Sequence, residues 1–264
     1  MACQSYFRLF LAYFFLFAGN AIADETTLSC PKKPIKIGYS DFGVFYNEKL
    51  KTGLDKDIVK KIIEKTNCRF EEKSYSHSSL WAQLKTGKVD ISLSSVNTKE
   101  RSKIAKFSYY GIAKTSVLFH AGVRAATLVE FTKNTRQKMG SVAGTSYGPA
   151  LDLEVKNLKK TGRVVEFATE EKMFQAFRKK KVDVLLLFIG VKERYLAPAD
   201  YATYSQTEWI GEIEPHGLAF SNKSSHSELF PWFDQIIQDM VKSGEIKTLA
   251  AKYLTPEELL LYRP

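Results

Sequence analysis

The strongest constraint on this chain is that it spells one strand–helix plan twice. Apolar residues over 35–39 predict a strand, followed by a helix over 55–66 with Ile58, Val59, Ile62 and Ile63 on one face. A strand at 69–73, a helix carrying Leu80, Trp81 and Leu84, and a strand at 89–93 complete the set. The plan restarts near Met139, with strand 139–143, helix 146–158, strand 163–167, helix 170–179 and strand 182–188. The two sets echo each other. Trp81, Leu84, Val89 and Asp90 correspond to Phe174, Phe177, Val182 and Asp183 at a constant offset of 93 residues. Such alternation predicts an α/β fold, a parallel sheet with helices on both faces. The near-continuous apolar run from Val182 fits a strand covered on both sides.

Two further apolar segments sit outside the repeated plan. Ser116–His120 lies between the sets, and Gly217–Phe220 precedes helices over 227–242 and 245–253. If the later segment rejoins the first set, two extended strands connect two Rossmann-like lobes. Two crossings make a hinge, and a hinge between lobes makes a cleft.

The N-terminus reads as an export signal. Phe7 to Phe17 is apolar except for Arg8, and Ala21-Ile22-Ala23 offers a cleavage site before Asp24. The apolar core is too short to span a bilayer, and no later stretch is long enough either. Removal of residues 1–23 takes Cys3 with it and leaves Cys30 and Cys68, an even pair that in an exported protein suggests a disulfide. Cys30 precedes the first strand and Cys68 opens the next, so parallel neighbours would put both at one end of the sheet. Lipidation of Cys30 is the alternative, but Thr27-Leu28-Ser29 is a poor lipobox. The composition, 26% charged and 44% hydrophobic, excludes a disordered chain. Lys+Arg 39 against Asp+Glu 29 gives +10, yet the charges are scattered, and the run Arg178–Lys181 falls where a helix ends. No nucleic-acid partner is expected.

From Ile35 to Leu254 the sequence resembles the bacterial family 3 solute-binding proteins, the periplasmic receptors of polar amino-acid ABC transporters. The resemblance rests on motifs in order: Ile35-Lys-Ile-Gly-Tyr39, Phe42-Gly-Val-Phe45, Gly53-Leu-Asp-Lys-Asp57, Leu84–Asp90, Thr98-Lys-Glu-Arg101, Phe107-Ser-Tyr-Tyr110, Val142–Ser146, Lys181-Val-Asp183 and Gly244–Tyr253. It implies a two-lobed, type II periplasmic-binding fold that closes on a small ligand. The expected division is 24–118 for the first lobe, 119–216 for the second, and 217–264 for a return to the first.

Candidate site residues follow. Arg101 lies in a loop beyond the third strand, and its guanidinium is a planar fork of donors suited to a carboxylate. In the resembled family this arginine holds the ligand α-carboxylate. Thr145 and Ser146, after Gly144, combine hydroxyls with a helix start, an anion-binding arrangement as well as a plain N-cap. The resemblance makes them the second lobe's grip. It also places Phe42 as an aromatic wall, His77 near another, and Ser94, Ser95 and Val96 where backbone and hydroxyl groups meet the ligand. Two departures stand out. The loop from Asp90 to Thr98 is one residue short of the common pattern. Phe188 occupies the position where many members carry an aspartate that pairs with the ligand ammonium, and neither Glu193 nor Asp200 is in register to replace it.

The expected function is a non-enzymatic, monomeric periplasmic receptor for a small carboxylate-bearing solute, an amino acid or a relative, feeding the permease of an ABC transporter. Neither cofactor nor metal is expected: His77, His120, His216 and His226 are scattered, and no acid–base pair or metal spacing stands out. The alternatives are a dehydratase-type enzyme on the same fold and a ligand sensor without a transport role.

Overall fold

A computed structural model describes residues 29–123, 125, 127–133, 136–188 and 190–261. The expected signal, residues 1–23, lies outside the described residues. The first half runs β1 (Ile35–Ser40), α1 (Leu54–Thr66), β2 (Phe70–Tyr75), α2 (His77–Thr86), β3 (Ile91–Val96) and β4 (Ala105–His120). Then come α3 (Leu128–Lys133), β5 (Met139–Val142), α4 (Pro149–Lys160), β6 (Val164–Phe167), α5 (Glu170–Arg178), β7 (Val184–Phe188) and α6 (Lys192–Tyr195). The chain returns through β8 (Tyr204–Ser221) and ends in α7 (Phe230–Lys242), α8 (Glu245–Ala250) and α9 (Pro256–Leu261).

All eight strands join one sheet in the order β2-β1-β3-β8-β4-β7-β5-β6. The expected parallel pairing holds at both ends, β2-β1-β3 and β7-β5-β6. The middle differs: β8 runs antiparallel to β3 and β4, and β4 antiparallel to β7. The segments at 116–120 and 217–220 are parts of strands 16 and 18 residues long, whose pairing runs from Ala105↔Ser221 to His120↔Tyr204. These two strands carry the sheet from one hydrophobic cluster to the other.

The first cluster packs Ile35, Ile37 and Tyr39 of β1 against Ile58, Val59 and Ile62 of α1 and Phe233 and Ile237 of α7. The second packs Leu185 and Leu187 of β7 with Phe174 and Phe177 of α5 and Leu151 of α4. Alternate residues of β1 point the other way, where Gly38 admits α2: a Cβ there would lie 2.3 Å from Leu80 Cδ1 and 3.0 Å from Val89 Cγ1. Gly140 on β5 does the same for α5, with Leu185 Cδ2 at 2.7 Å, Val182 Cγ2 at 3.2 Å and Met173 Cγ at 3.3 Å. The 93-residue echo maps Leu80 onto Met173, so the two halves repeat one packing device.

The repeated Val-Asp pair has its own cause. Asp90 Oδ2 accepts the Lys36 N–H of β1 at 2.7 Å, and Asp183 Oδ2 accepts the Lys138 N–H just before β5 at the same distance. Each aspartate ties its strand to the neighbouring strand's start. A disulfide joins Cys30 to Cys68 with Cα atoms 5.2 Å apart, beside the β1–β2 pairing that begins Ile35↔Phe70. Closing a separation of 38 residues restricts the unfolded chain by about 3–4 kcal/mol in the chain-entropy picture.

Among the expected boundaries that move, two bear on the cleft. Strand 89–93 becomes Ile91–Val96, continuing through an irregularity between Ser92 and Ser95. Helix 146–158 becomes Pro149–Lys160, because Gly148 (φ +95°) turns the chain and Pro149 fixes the first helical φ. Asp90 is buried and also accepts from Ser224 Oγ at 2.6 Å, whereas Asp183 is only half-buried. Asp90→Ala should therefore cost about 2–4 kcal/mol and Asp183→Ala roughly 1 kcal/mol. Urea denaturation of both variants tests the ordering, and equal losses would contradict it.

Candidate functional site

A narrow cleft opens between the two hydrophobic clusters, lined by Phe42, Phe45, His77, Ser94, Val96, Arg101, Ile112, Ala113, Thr145, Ser146, Phe188 and His216. Eight expected site residues meet there: Phe42, His77, Ser94, Val96, Arg101, Thr145, Ser146 and Phe188. Ser95 does not. It is buried, with its hydroxyl on Leu93 O at 3.1 Å and Ser92 Oγ at 3.2 Å. Of the two expected serines Ser94 faces the cleft, because it adopts the left-handed region (φ +44°) at the β3 irregularity, shifting which side chains face inward.

Arg101 is set by its local sequence. Thr98 Oγ1 accepts the Arg101 N–H at 3.2 Å, and a single 3-10 turn, Arg101–Lys103, follows. The guanidinium lies over the Trp81 ring, Cζ 4.0 Å from the centroid. Nη1 donates to Val96 O at 3.0 Å, and Nη2 donates to Gly144 O at 3.1 Å. Nη2 also faces His77 Nε2 at 3.4 Å, while His77 Nδ1 faces Ser40 Oγ at 3.2 Å. The arginine can only donate, so Nε2 is the acceptor and the imidazole carries its proton on Nδ1. Burial, aided by the Arg101 charge, pushes His77 down to about 3, so the ring is neutral. Burial also lowers Arg101 to about 10, partly offset by the attraction of Asp152, which leaves it charged at neutral pH.

Elsewhere on the rim, hydroxyls are held by acids that stand behind them. Ser94 Oγ donates to Asp55 Oδ1 at 2.6 Å, and the Tyr110 hydroxyl stands 3.4 Å from the same oxygen. Ser146 Oγ donates to Asp152 Oδ2 at 2.5 Å and the Tyr147 N–H to Oδ1 at 2.8 Å. Ser146 is thus bound to an acid inside α4 rather than capping that helix, contrary to the expected N-cap. Behind Phe42, the Gly43 N–H donates to Glu170 Oε2 at 2.7 Å, and Arg194 pairs with Asp41 at 2.8 Å while donating to the carbonyls of Gly43 and Tyr46. These contacts hold the loop after β1 against α5 and α6. They bring Phe42 edge-on to Phe188 (centroids 5.7 Å), with Phe45 stacked on Phe42 at 5.0 Å and Tyr147 on Phe188 at 5.3 Å.

Phe188 therefore forms part of the cleft wall as well as of the second cluster. Glu193 does not line the cleft; it lies beside Lys192 at 3.4 Å, and the nearby Glu258 charge adds to the burial that raises its pKa. Phe45, Ile112, Ala113 and His216 were not singled out as lining residues from sequence. They come from three separate segments that only the sheet topology brings together, and His216 looked like one scattered histidine among four. Among the described residues, no group of three potential metal ligands gathers.

Burial raises Asp55 to about 7, against the donors Ser94 and Tyr110, and Glu170 to about 8, against the Gly43 N–H. A carboxyl whose folded pKa exceeds its unfolded value, about 4, holds its proton better in the folded chain. The stability it contributes is lost as pH rises from there through the folded pKa. His77 and His216, both pushed down to about 3 by burial, act oppositely, losing stability as pH falls below about 6.5. Above pH ~6.5 the histidine contribution is complete, while the loss carried by Asp55 and Glu170 continues. Melting temperature should fall between pH ~6.5 and ~8.5, and less so in Asp55→Asn and Glu170→Gln. Thermal melts at the two pH values check this; an unchanged slope in both variants would refute the assignment.

The geometry agrees with comparisons to known proteins. Residues 35–256 match the family described as bacterial extracellular solute-binding proteins, family 3. The curated "Probable amino-acid-binding protein YxeM" of Bacillus subtilis (strain 168) is 24% identical over 216 residues, covering 78% of this chain and 77% of that protein. An ancestral arginine-binding protein bound to arginine superposes with a TM-score of 0.70 at 22% identity, covering 84% of this chain and 98% of the other. A histidine kinase sensor domain similar to periplasmic binding proteins gives 0.71 at 15% identity, covering 85% and 98%. The fold is thus that of the type II periplasmic-binding proteins, and the chain belongs to the bacterial extracellular solute-binding proteins, family 3.

Proposed function

We propose that this protein is a periplasmic receptor that closes on a small carboxylate-bearing solute and delivers it to an ABC transporter. The observation that carries the reading is Arg101. Among the described residues no carboxylate forms an ion pair with its guanidinium, although the group is half-buried in the cleft wall. A buried cation without a partner anion is costly, and a ligand carboxylate relieves that cost on binding. Of its five N–H donors, three face Val96 O, Gly144 O and His77 Nε2, which leaves two for the ligand.

The lobes are taken as 24–118 with 217–264, and 119–216. The split of the core into two clusters, with β4 and β8 spanning them, supports this division. Arg101 joins the halves directly, because Gly144 belongs to the turn after β5. Closure and recognition of charge thus use one side chain. Export by a signal over residues 1–23 fits the disulfide, since such bonds persist outside the cytosol. A receptor role is favoured over catalysis because the two histidines in the cleft wall are held neutral well below the range of a working acid or base.

Native mass spectrometry of the purified protein identifies any co-purified ligand, and incubation should return that ligand unchanged. Calorimetry then tests Arg101. Arg101→Ala should weaken binding by about 2–5 kcal/mol, and Arg101→Lys should also weaken it, because one ammonium does not reproduce the guanidinium's donors. Trp81→Leu, which removes the ring beneath the guanidinium, should cost about 0.5–2 kcal/mol of affinity. Full affinity in Arg101→Ala would remove it from the site, and conversion of the ligand would make the protein an enzyme.

A further inference from the structure

We infer that the solute this cleft accepts is an apolar carboxylate without an ammonium group, with a flat, aromatic hydrocarbon body; the inference rests on the carboxylate-receptor reading above. It starts from a count of charge. Among the twelve lining residues Arg101 is the one with a formal charge, and none is acidic. The acids close to the cleft stand behind its walls and are engaged there. Asp55 takes the Ser94 hydroxyl, Asp152 takes the Ser146 hydroxyl and the Tyr147 N–H, and Glu170 takes the Gly43 N–H. A plain carboxylate matches the single formal charge of the lining. A zwitterionic amino acid would bring an ammonium as well, and no lining residue offers that ammonium a carboxylate.

The shape of the lining points to the body of the ligand. Phe42, Phe45, Val96, Ile112, Ala113 and Phe188 make half of it, so much of the lining is hydrocarbon. The rings come from both sides: Phe42 and Phe45 stack on each other from the loop after β1, and Phe188 stands edge-on to Phe42 from the end of β7. His216 adds an aromatic edge against Phe45, with centroids 6.0 Å apart. A ring entering such a lining finds both faces and edges to pack against, whereas a polar side chain finds few partners for its donors.

The test compares acids that differ by one group, using thermal shift and calorimetry on the wild-type protein. The probes are 3-phenylpropanoate against L-phenylalanine, 4-methylpentanoate against L-leucine, and propanoate against L-alanine, with L-arginine and L-glutamine added. Binding of 3-phenylpropanoate at least tenfold tighter than L-phenylalanine, and tighter than 4-methylpentanoate and propanoate, with loss in Arg101→Ala, is the expected result. Phe188→Asp should shift the preference between 3-phenylpropanoate and L-phenylalanine tenfold or more toward the amino acid. Tight binding of an amino acid, weakened when its amine is removed and dependent on Arg101, would overturn the inference and leave the carboxylate receptor intact. Preference for 4-methylpentanoate or propanoate over the ring acid would overturn the aromatic body. Failure of every acid, or binding indifferent to Arg101→Ala, would overturn the receptor reading and this inference with it.

Discussion

A guanidinium placed in a mostly apolar cleft, with no ion-paired carboxylate among the described residues, is the interaction on which the rest of this site depends. Leaving such a charge unsolvated costs several kcal/mol, and the fold offsets that with parts drawn from four segments. Thr98 shapes the turn that aims Arg101, Trp81 of α2 supplies a ring face, Val96 at the end of β3 gives a carbonyl, and Gly144 after β5 gives another. Gly144 is needed there for two reasons. Its φ is +82°, and a Cβ would lie 2.9 Å from Ser78 Cα. The turn after β5 therefore meets the first turn of α2 at backbone distance, which is what lets one arginine reach both halves of the sheet.

Carbonyl oxygens are dipoles and only partly compensate a full charge. On the receptor reading, that incomplete compensation is what sets Arg101 apart from a structural arginine. Arg194 makes the contrast within the same molecule. It also bridges the halves and also donates to carbonyls, but Asp41 meets it at 2.8 Å and completes the neutralisation. Arg194 fixes the aromatic wall in position, and Arg101 remains available for an anion from outside.

Much of this architecture was legible in the sequence because its periods are physical. The 3.6-residue apolar spacing of 58, 59, 62 and 63 and the short apolar strands reflect burial on one face or two, which tertiary context had no reason to override. The Val-Asp echo was readable as a repeat before its cause was visible: valine packs by a glycine of the neighbouring strand, and aspartate holds a neighbouring N–H. The Cys30–Cys68 pair followed from strand adjacency. What stayed hidden depended on backbone detail or distant segments. Which of Ser94 and Ser95 faces the cleft is decided by one left-handed residue, and no pattern in Ile91–Val96 announces it. Ile112, Ala113 and His216 belong to β4 and β8, whose long antiparallel run was glimpsed in the sequence as two short apolar pieces.

The placement of the acids ties the electrostatics of the cleft to its rigidity. Asp55 and Glu170 lie one layer behind the surface a ligand would touch, and burial pushes both toward the neutral form. A neutral carboxyl still accepts the hydrogen bonds that position Ser94 and the Phe42 loop. It adds little negative potential to offset Arg101. The same burial keeps His77 uncharged, so no second cation competes for the incoming anion, and its Nε2 lone pair is turned to the guanidinium. Had these acids stood in the lining, they would have paired with Arg101 and closed the site to an external carboxylate. Held behind Ser94 and Phe42, they give the walls fixed geometry while the one charge that faces the cleft stays unpaired.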